Sequence, residues 1–170
     1  MLDNLLDLVK SQAGNAIINN PAIPNEQNDA AVEVASSSIF DTLKNAATGG
    51  NIGDIVSMFS GGAGNAANSP LAGIMQNSMV QNLMQKFGLD QGAAGNIASG
   101  LLPNVLQNLV HKTNDPNDSS FDLQSIVSKV TGGAGGFDIG NLVSNFTGGA
   151  NQQQAGGGGI MDSIKGLFGK

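Results

Sequence analysis

The sequence predicts an all-α protein built from two similar three-helix units. Three observations lead to this prediction. Apolar residues recur at the three- and four-residue spacing of a helix face, part of the pattern returns 62 residues further along the chain, and no stretch shows the strict alternation of a half-buried strand. With 170 residues the chain is long enough to form one domain with a real core.

A short helical segment that ends in two glycines occurs three times. It reads IVSMFSGGA at 55–63, IVSKVTGGA at 126–134 and LVSNFTGGA at 142–150. The apolar residues of each copy form one face of a two- to three-turn helix, and the glycine pair ends it. The predicted N-cap residues are Asn51, Asp122 and Asp138. Helices this short are marginal alone in water, so each copy must dock its apolar face on another element.

Two longer helices precede each of the first two copies. In the first unit we predict them over 2–17 and 28–47, and in the second unit over 70–87 and about 93–110. The apolar positions of the last helix match those of 28–47 at the constant offset of 62. Ser69 as N-cap, Pro70 at the first helical position and Gly88 as the stop bound the third of these helices.

The predicted organisation follows from these elements. The first three-helix repeat occupies 1–62, and the second repeat, with one additional short helix, occupies 70–150; together they form one globular domain. The Gly- and Gln-rich stretch 151–159 is predicted to be a flexible linker. A terminal amphipathic helix at 160–170 follows, with an apolar side formed by Ile160, Met161, Ile164, Leu167 and Phe168.

Composition narrows the range of functions. The net charge is −6 and the chain has no Arg, so the guanidinium forks that dominate nucleic-acid recognition are missing and nucleic acid is not an expected partner. It also has no Cys, which excludes disulfides and thiolate metal sites. The start MLDNLLDLVK has no basic region typical of a secretory signal, and no window approaches 18 consecutive apolar residues. We therefore expect a cytoplasmic protein.

The polar residues favour structural roles over chemistry. Eleven of the 13 acidic residues are Asp, and many of them stand where predicted helices begin, as capping requires. The loop 113–120 offers oxygen ligands for Ca²⁺ but lacks the Gly and the bidentate Glu of an EF-hand, so we interpret it as a connector with Asx turns. His111 is the single His, without a second ligand or a nucleophile beside it. We predict no catalytic residue, no cofactor and no metal, and hence no enzyme.

One stretch resembles a known family. The residues FGLDQGAAGNIASGLLPNVLQNLV, from Phe87 to Val110, followed by the Gly-rich short helix, are similar to the YidB-like family of uncharacterised bacterial proteins. The resemblance covers about 60 residues well and the first repeat weakly, because Asp41 stands where Pro103 would be. It implies an all-helical bacterial domain and brings no activity.

The function that these features favour is a structural or scaffolding protein that assembles with copies of itself through helical faces. Two alternatives remain open: a monomeric module whose groove receives a partner's amphipathic helix, and a peripheral membrane protein. The groove would be lined by Met75, Met79 and Phe87. Membrane attachment would use the terminal helix. Membrane-surface helices usually have a basic polar face, whereas this helix carries Asp162 as well as Lys165 and Lys170.

Overall fold

A computed structural model describes residues 2–115, 117–118, 121 and 123–130. All regular structure in these ranges is helical, so the all-α prediction is confirmed. The α-helices are α1 (Leu2–Gln12), α2 (Asn28–Thr48), α3 (Ile52–Ser60), α4 (Ala63–Ala66), α5 (Pro70–Phe87), α6 (Gln91–Thr113) and α7 (Leu123–Val130). A π-helical turn, Gly14–Ile18, and a 3₁₀ turn, Asn25–Gln27, lie between α1 and α2.

The chain divides into two compact units, Met1–Gly136 and Phe137–Lys170, and the first contains every described residue. The first unit thus holds α1, α2 and α3 of the first predicted repeat and α5, α6 and α7 of the second, whereas residues 137–150 of the second predicted repeat belong to the other unit. The predicted short helix at 138–147, the linker 151–159 and the terminal helix 160–170 lie outside the described residues.

The two repeats are interleaved. Helix α1 packs against α2 of its own repeat and against α6 of the other repeat. In the same way, α5 packs against α6 of its own repeat and against α2 of the other. The short helices also pack across the repeats, because α3 contacts both α2 and α6, and α7 contacts α2 and α3 of the first repeat. Each long helix is therefore covered partly by its own repeat and partly by the other one.

Matching positions of the first two short-helix copies are buried. Ile55 and Val56 of α3 are 0% and 3% exposed, and their counterparts in α7, Ile126 and Val127, are each 1% exposed. Phe59, also on α3, is among the largest side chains that are fully buried. The expectation that these short helices must dock their apolar faces is confirmed for both described copies.

Side-chain hydrogen bonds also join the two repeats. Asn82 Nδ2 of α5 donates to Ser38 Oγ of α2 at 2.9 Å. Asn114, directly after α6, donates from Nδ2 to the Phe59 carbonyl at 3.1 Å. These directional contacts fix how the apolar faces meet, which hydrophobic burial alone does not specify.

Several predicted helix ends are confirmed. The Ser69 hydroxyl accepts a hydrogen bond from the Ala72 amide at 3.2 Å. Pro70 is the first residue of α5, as predicted. Helix α5 ends at Gly88, whose φ of 65° lies in the left-handed region that favours glycine. Asp90 Oδ1 accepts from the Ala93 amide at 2.9 Å and caps α6. Pro103 lies within α6, which continues to Thr113.

Two local predictions were wrong. The first helix does not run over 2–17, because α1 ends at Gln12 and the chain continues through the π-helical turn; Gly14, a weak helix former, stands at this break. The turn still buries Ile17. The Asn51 side chain makes no capping hydrogen bond to α3; its carbonyl accepts from the Asp54 amide instead, at 3.1 Å. The short α4 was not predicted, and it packs on α6 with Ala66 buried.

Candidate interaction surface

The residues predicted to line a helix-binding groove belong mostly to the core. Met75 and Met79 are both 0% exposed, and Phe87 is half-buried. The two methionines continue the four-residue spacing of Leu71 and Leu83 along the buried side of α5. Neither methionine side chain is thus presented at the surface of the described structure. The other predicted interaction residues, Ile160, Met161, Ile164, Leu167 and Phe168, lie outside the described residues.

The outward surface of α5 carries the most exposed large hydrophobic side chain of the described residues. Ile74 is 55% exposed, compared with 44% for Leu2 and 42% for Ile18. It shares this surface with the exposed Gly73, Asn77 and Gln81, and the half-buried Val80 and Met84 form one edge of it. We call these six residues the α5 face.

The α5 face has no charged residue. Within the 18 residues of α5 the single charge is Lys86, near the C-terminal end. The first repeat contrasts with it: residues 1–62 contain seven acidic residues and two lysines, a net charge of −5 out of −6 for the whole chain. A charge-free helix surface is unusual beside such an acidic one, because exposed positions normally carry mixed charges.

A groove of about 510 Å³ lies between α1 and α2. Its apolar lining includes Leu2, Leu6 and Val32, and its carboxylates are Asp3, Asp29 and Glu33. A second depression of about 330 Å³, between α2 and α5, shares Glu33 and Ser37 with it. We call the larger of the two the α1–α2 groove.

An ion pair spans the α1–α2 groove. Lys10 Nζ donates to Asp29 Oδ1 at 2.9 Å, with 56% and 85% of the two side chains exposed. The hydrogen bond to Asp29, with the attraction of its charge, raises the pKa of Lys10 above the ordinary 10.5. The extra stability from this shift is present below pH 10.5 and is lost as the pH rises through the raised pKa. Lys10 therefore stays protonated at neutral pH, and so exposed a pair contributes little to stability.

The carboxylates of the loop after α6 accept hydrogen bonds from donors of the same chain. Asp115 Oδ1 accepts from the Asn117 amide at 2.9 Å, which forms the predicted Asx turn. Lys112 Nζ donates to Asp118 Oδ2 at 2.8 Å. Pro116, Ser119 and Ser120 are not among the described residues. The described part of this loop has the hydrogen bonds of a structural connector.

The remaining polar groups of the described residues include His111 and further acidic side chains. Within the described ranges, no three His, Cys, Asp or Glu side chains come together as metal ligands would. His111 is exposed in the last turn of α6. No described helix is both long enough and apolar enough to cross a bilayer.

The sequence contained a signal for the exposure of Ile74. Four-residue spacing places Leu71, Met75, Met79 and Leu83 on one side of the helix, and Ile74 lies about 100° away from Met75 around the axis. The apolar pattern of this helix predicts that Ile74 belongs to its buried face, together with Leu71, Met75, Met79, Leu83 and Phe87. That prediction was wrong for Ile74, which is 55% exposed.

Comparison with protein families, curated proteins and solved structures gives no match for this chain. The similarity of 87–110 to the YidB-like family therefore stays a prediction from the residues alone.

Proposed function

We propose that this chain is a non-enzymatic structural protein that assembles with copies of itself through helical faces. The observation that supports the proposal most directly is the interleaving of the repeats, in which each covers apolar surface of another unit of similar sequence. A second chain offers the same kinds of surface, so association between chains extends a mode of packing already used within one chain.

The number of repeats adds support from the sequence. The chain contains three copies of the short helical segment but only two long helices of the type that precedes it. The third copy, at 142–150, has no long helix of its own repeat. The sequence also predicts a further apolar side at 160–170, after a linker at 151–159. Segments of this kind can reach a neighbouring molecule.

Two further expectations belong to this proposal. The assembly is placed in the cytoplasm, and the similarity to the YidB-like family places the protein in bacteria. Both rest on sequence features: the absence of a window of 18 consecutive apolar residues and the pattern of residues 87–110.

Light scattering coupled to size-exclusion chromatography tests the proposal on the full-length chain. We expect a mass well above the 17.1 kDa of one chain, increasing with concentration. Ile164→Asp combined with Leu167→Asp should lower the average mass, because it places charge on the predicted apolar side of the terminal helix. Ser163→Asp with Gly166→Asp is the control, since it adds the same two negative charges away from the predicted apolar side. A mass of one chain for the unaltered protein at every concentration contradicts self-assembly.

A further inference from the structure

The α5 face is complementary to itself when one copy is turned antiparallel to another. Suppose that the two antiparallel copies of α5 cross at the height of Met79. A residue some positions before Met79 in one copy then lies beside the residue that is the same number of positions after Met79 in the other copy. Ile74 then lies beside the partner copy's position 84, which is a half-buried Met, and Asn77 lies beside position 81, which is Gln. Apolar side chains meet apolar ones, and each amide has both a donor and an acceptor for the other.

Charge favours a second copy of this chain as the occupant. Two molecules of net charge −6 repel each other, most strongly where the first repeat concentrates its carboxylates. The α5 face has no carboxylate, so two copies can meet there without placing like charges in contact. The α1–α2 groove, with Asp3, Asp29 and Glu33 around it, is a poor contact between identical acidic chains.

We propose that α5 of one molecule packs antiparallel against α5 of a second molecule across a twofold axis level with Met79. This inference rests on the proposed self-assembly and identifies one of its interfaces. The helix is 18 residues long, or about 27 Å. One helix pair of this length buries less than the roughly 800 Å² per partner of a standard stable interface, so the association is weak and depends on concentration.

A matched pair of substitutions tests the location of the interface in the full-length protein. Ile74→Asp should weaken dimer formation at least about tenfold in sedimentation equilibrium, because it replaces the apolar contact by a charge. Leu2→Asp is the control: it makes the same change at a similarly exposed residue of α1 and should leave the dimerisation constant within about twofold. Circular dichroism verifies that both variants keep their helices.

Cysteine cross-linking tests the antiparallel arrangement, and the chain has no Cys of its own to interfere. One sample carries Ile74→Cys and another Met84→Cys. Within an antiparallel pair, identical positions lie about 15 Å apart along the axis, whereas positions 74 and 84 of different molecules are neighbours. Oxidation should therefore give a disulfide-linked dimer efficiently when the two samples are mixed, and little from either sample alone.

The outcomes separate this inference from the proposed function. A dimer linked only in the mixture, together with weakening by Ile74→Asp, supports the α5 pair. Efficient cross-linking of either sample alone indicates a parallel pair and overturns the inference. Suppose instead that the unaltered protein assembles while Ile74→Asp leaves the dimerisation constant unchanged and the mixed cysteine samples give no disulfide-linked dimer. In that case the interface lies elsewhere and only the inference fails. If the unaltered protein remains one chain, the proposed function fails as well.

Discussion

Three buried hydroxyl groups lie on α2, among the mainly apolar residues of its buried side. Ser36, Ser38 and Thr42 are at most 5% exposed, and each donates to the carbonyl four residues earlier at 2.7–2.8 Å. Such bonds satisfy a buried hydroxyl within its own helix. Ser38 differs from the other two because it also accepts from Asn82 of the second repeat.

This difference predicts unequal effects of removing two buried hydroxyls. Ser38→Ala should lower the free energy of unfolding by about 1 kcal/mol, because it deletes a hydrogen bond between helices. Ser36→Ala, also 0% exposed but bonded to the Val32 carbonyl, should change it by less than about 0.5 kcal/mol, since only a bond within the helix is lost and Ala is the better helix former. Urea denaturation followed by circular dichroism measures both, and equal losses would argue against a stabilising role of the Asn82 bond.

At the scale of single residues, sequence predicted best where one local interaction decides the outcome. Ser69 and Gly88 have the roles expected of them, because capping depends on the residue and its immediate neighbours. Asn51 does not cap α3, although its residue type and position are suitable: the Gly49–Gly50 turn before it, with Gly50 at a φ of 84°, leads the chain into α3 with the Asn51 carbonyl as acceptor. Ile74 was misplaced because an apolar residue beside an apolar stripe looks like part of it.

At the scale of elements, the periodic pattern predicted where the long helices lie, but it did not predict how α1 ends. The ranges of α2, α5 and α6 agree closely with prediction because their apolar spacing is sustained over several turns. Helix α1 has the same kind of spacing, yet the chain changes to a π-helical turn after it. In that turn the amides of Ile17 and Ile18 both donate to the Ala13 carbonyl, at 2.8 and 3.0 Å. Periodicity does not distinguish this geometry from a continuous α-helix.

Two glycines predict opposite changes in stability. Gly88→Ala should destabilise the protein by about 1–2 kcal/mol, because its φ of 65° is costly for a residue with a Cβ. Gly95→Ala, within α6, should stabilise it by about 0.5–1 kcal/mol, since a Cβ there meets no atom within 4 Å and Ala is the better helix former. Thermal and urea unfolding of both variants provide the measurement. Stabilisation by Gly88→Ala would contradict the left-handed end of α5.

At the scale of the whole molecule, sequence revealed the repeats but not their pairing. The 62-residue offset identifies which helices correspond, because corresponding positions face a core in both. It does not say whether each repeat packs on itself or on the other. That choice depends on the contacts of α1 with α6 and of α5 with α2, which join residues far apart in the chain. The exposed α5 face could not be predicted for the same reason. Which side of α5 stays exposed depends on which helices cover its other sides.

Interleaving predicts that neither repeat folds alone. Residues 1–69 without the second repeat should show little helical circular dichroism, because the surface of α2 that α5 and α7 cover would be open to water. Mixing this fragment with residues 70–170 should restore the helical signal. A first fragment with the full helical signal of its three helices would mean that the repeats are independent units.

The contact between α2 and α7 also has a consequence for synthesis on the ribosome. Helix α2 ends at Thr48 and α7 at Val130, so roughly 80 further residues must be added before the last of the described helices that contact α2 exists. At ordinary translation speeds this takes about 4–16 s. During that interval the nascent chain carries an apolar strip without its final cover, which is the kind of surface that chaperones bind.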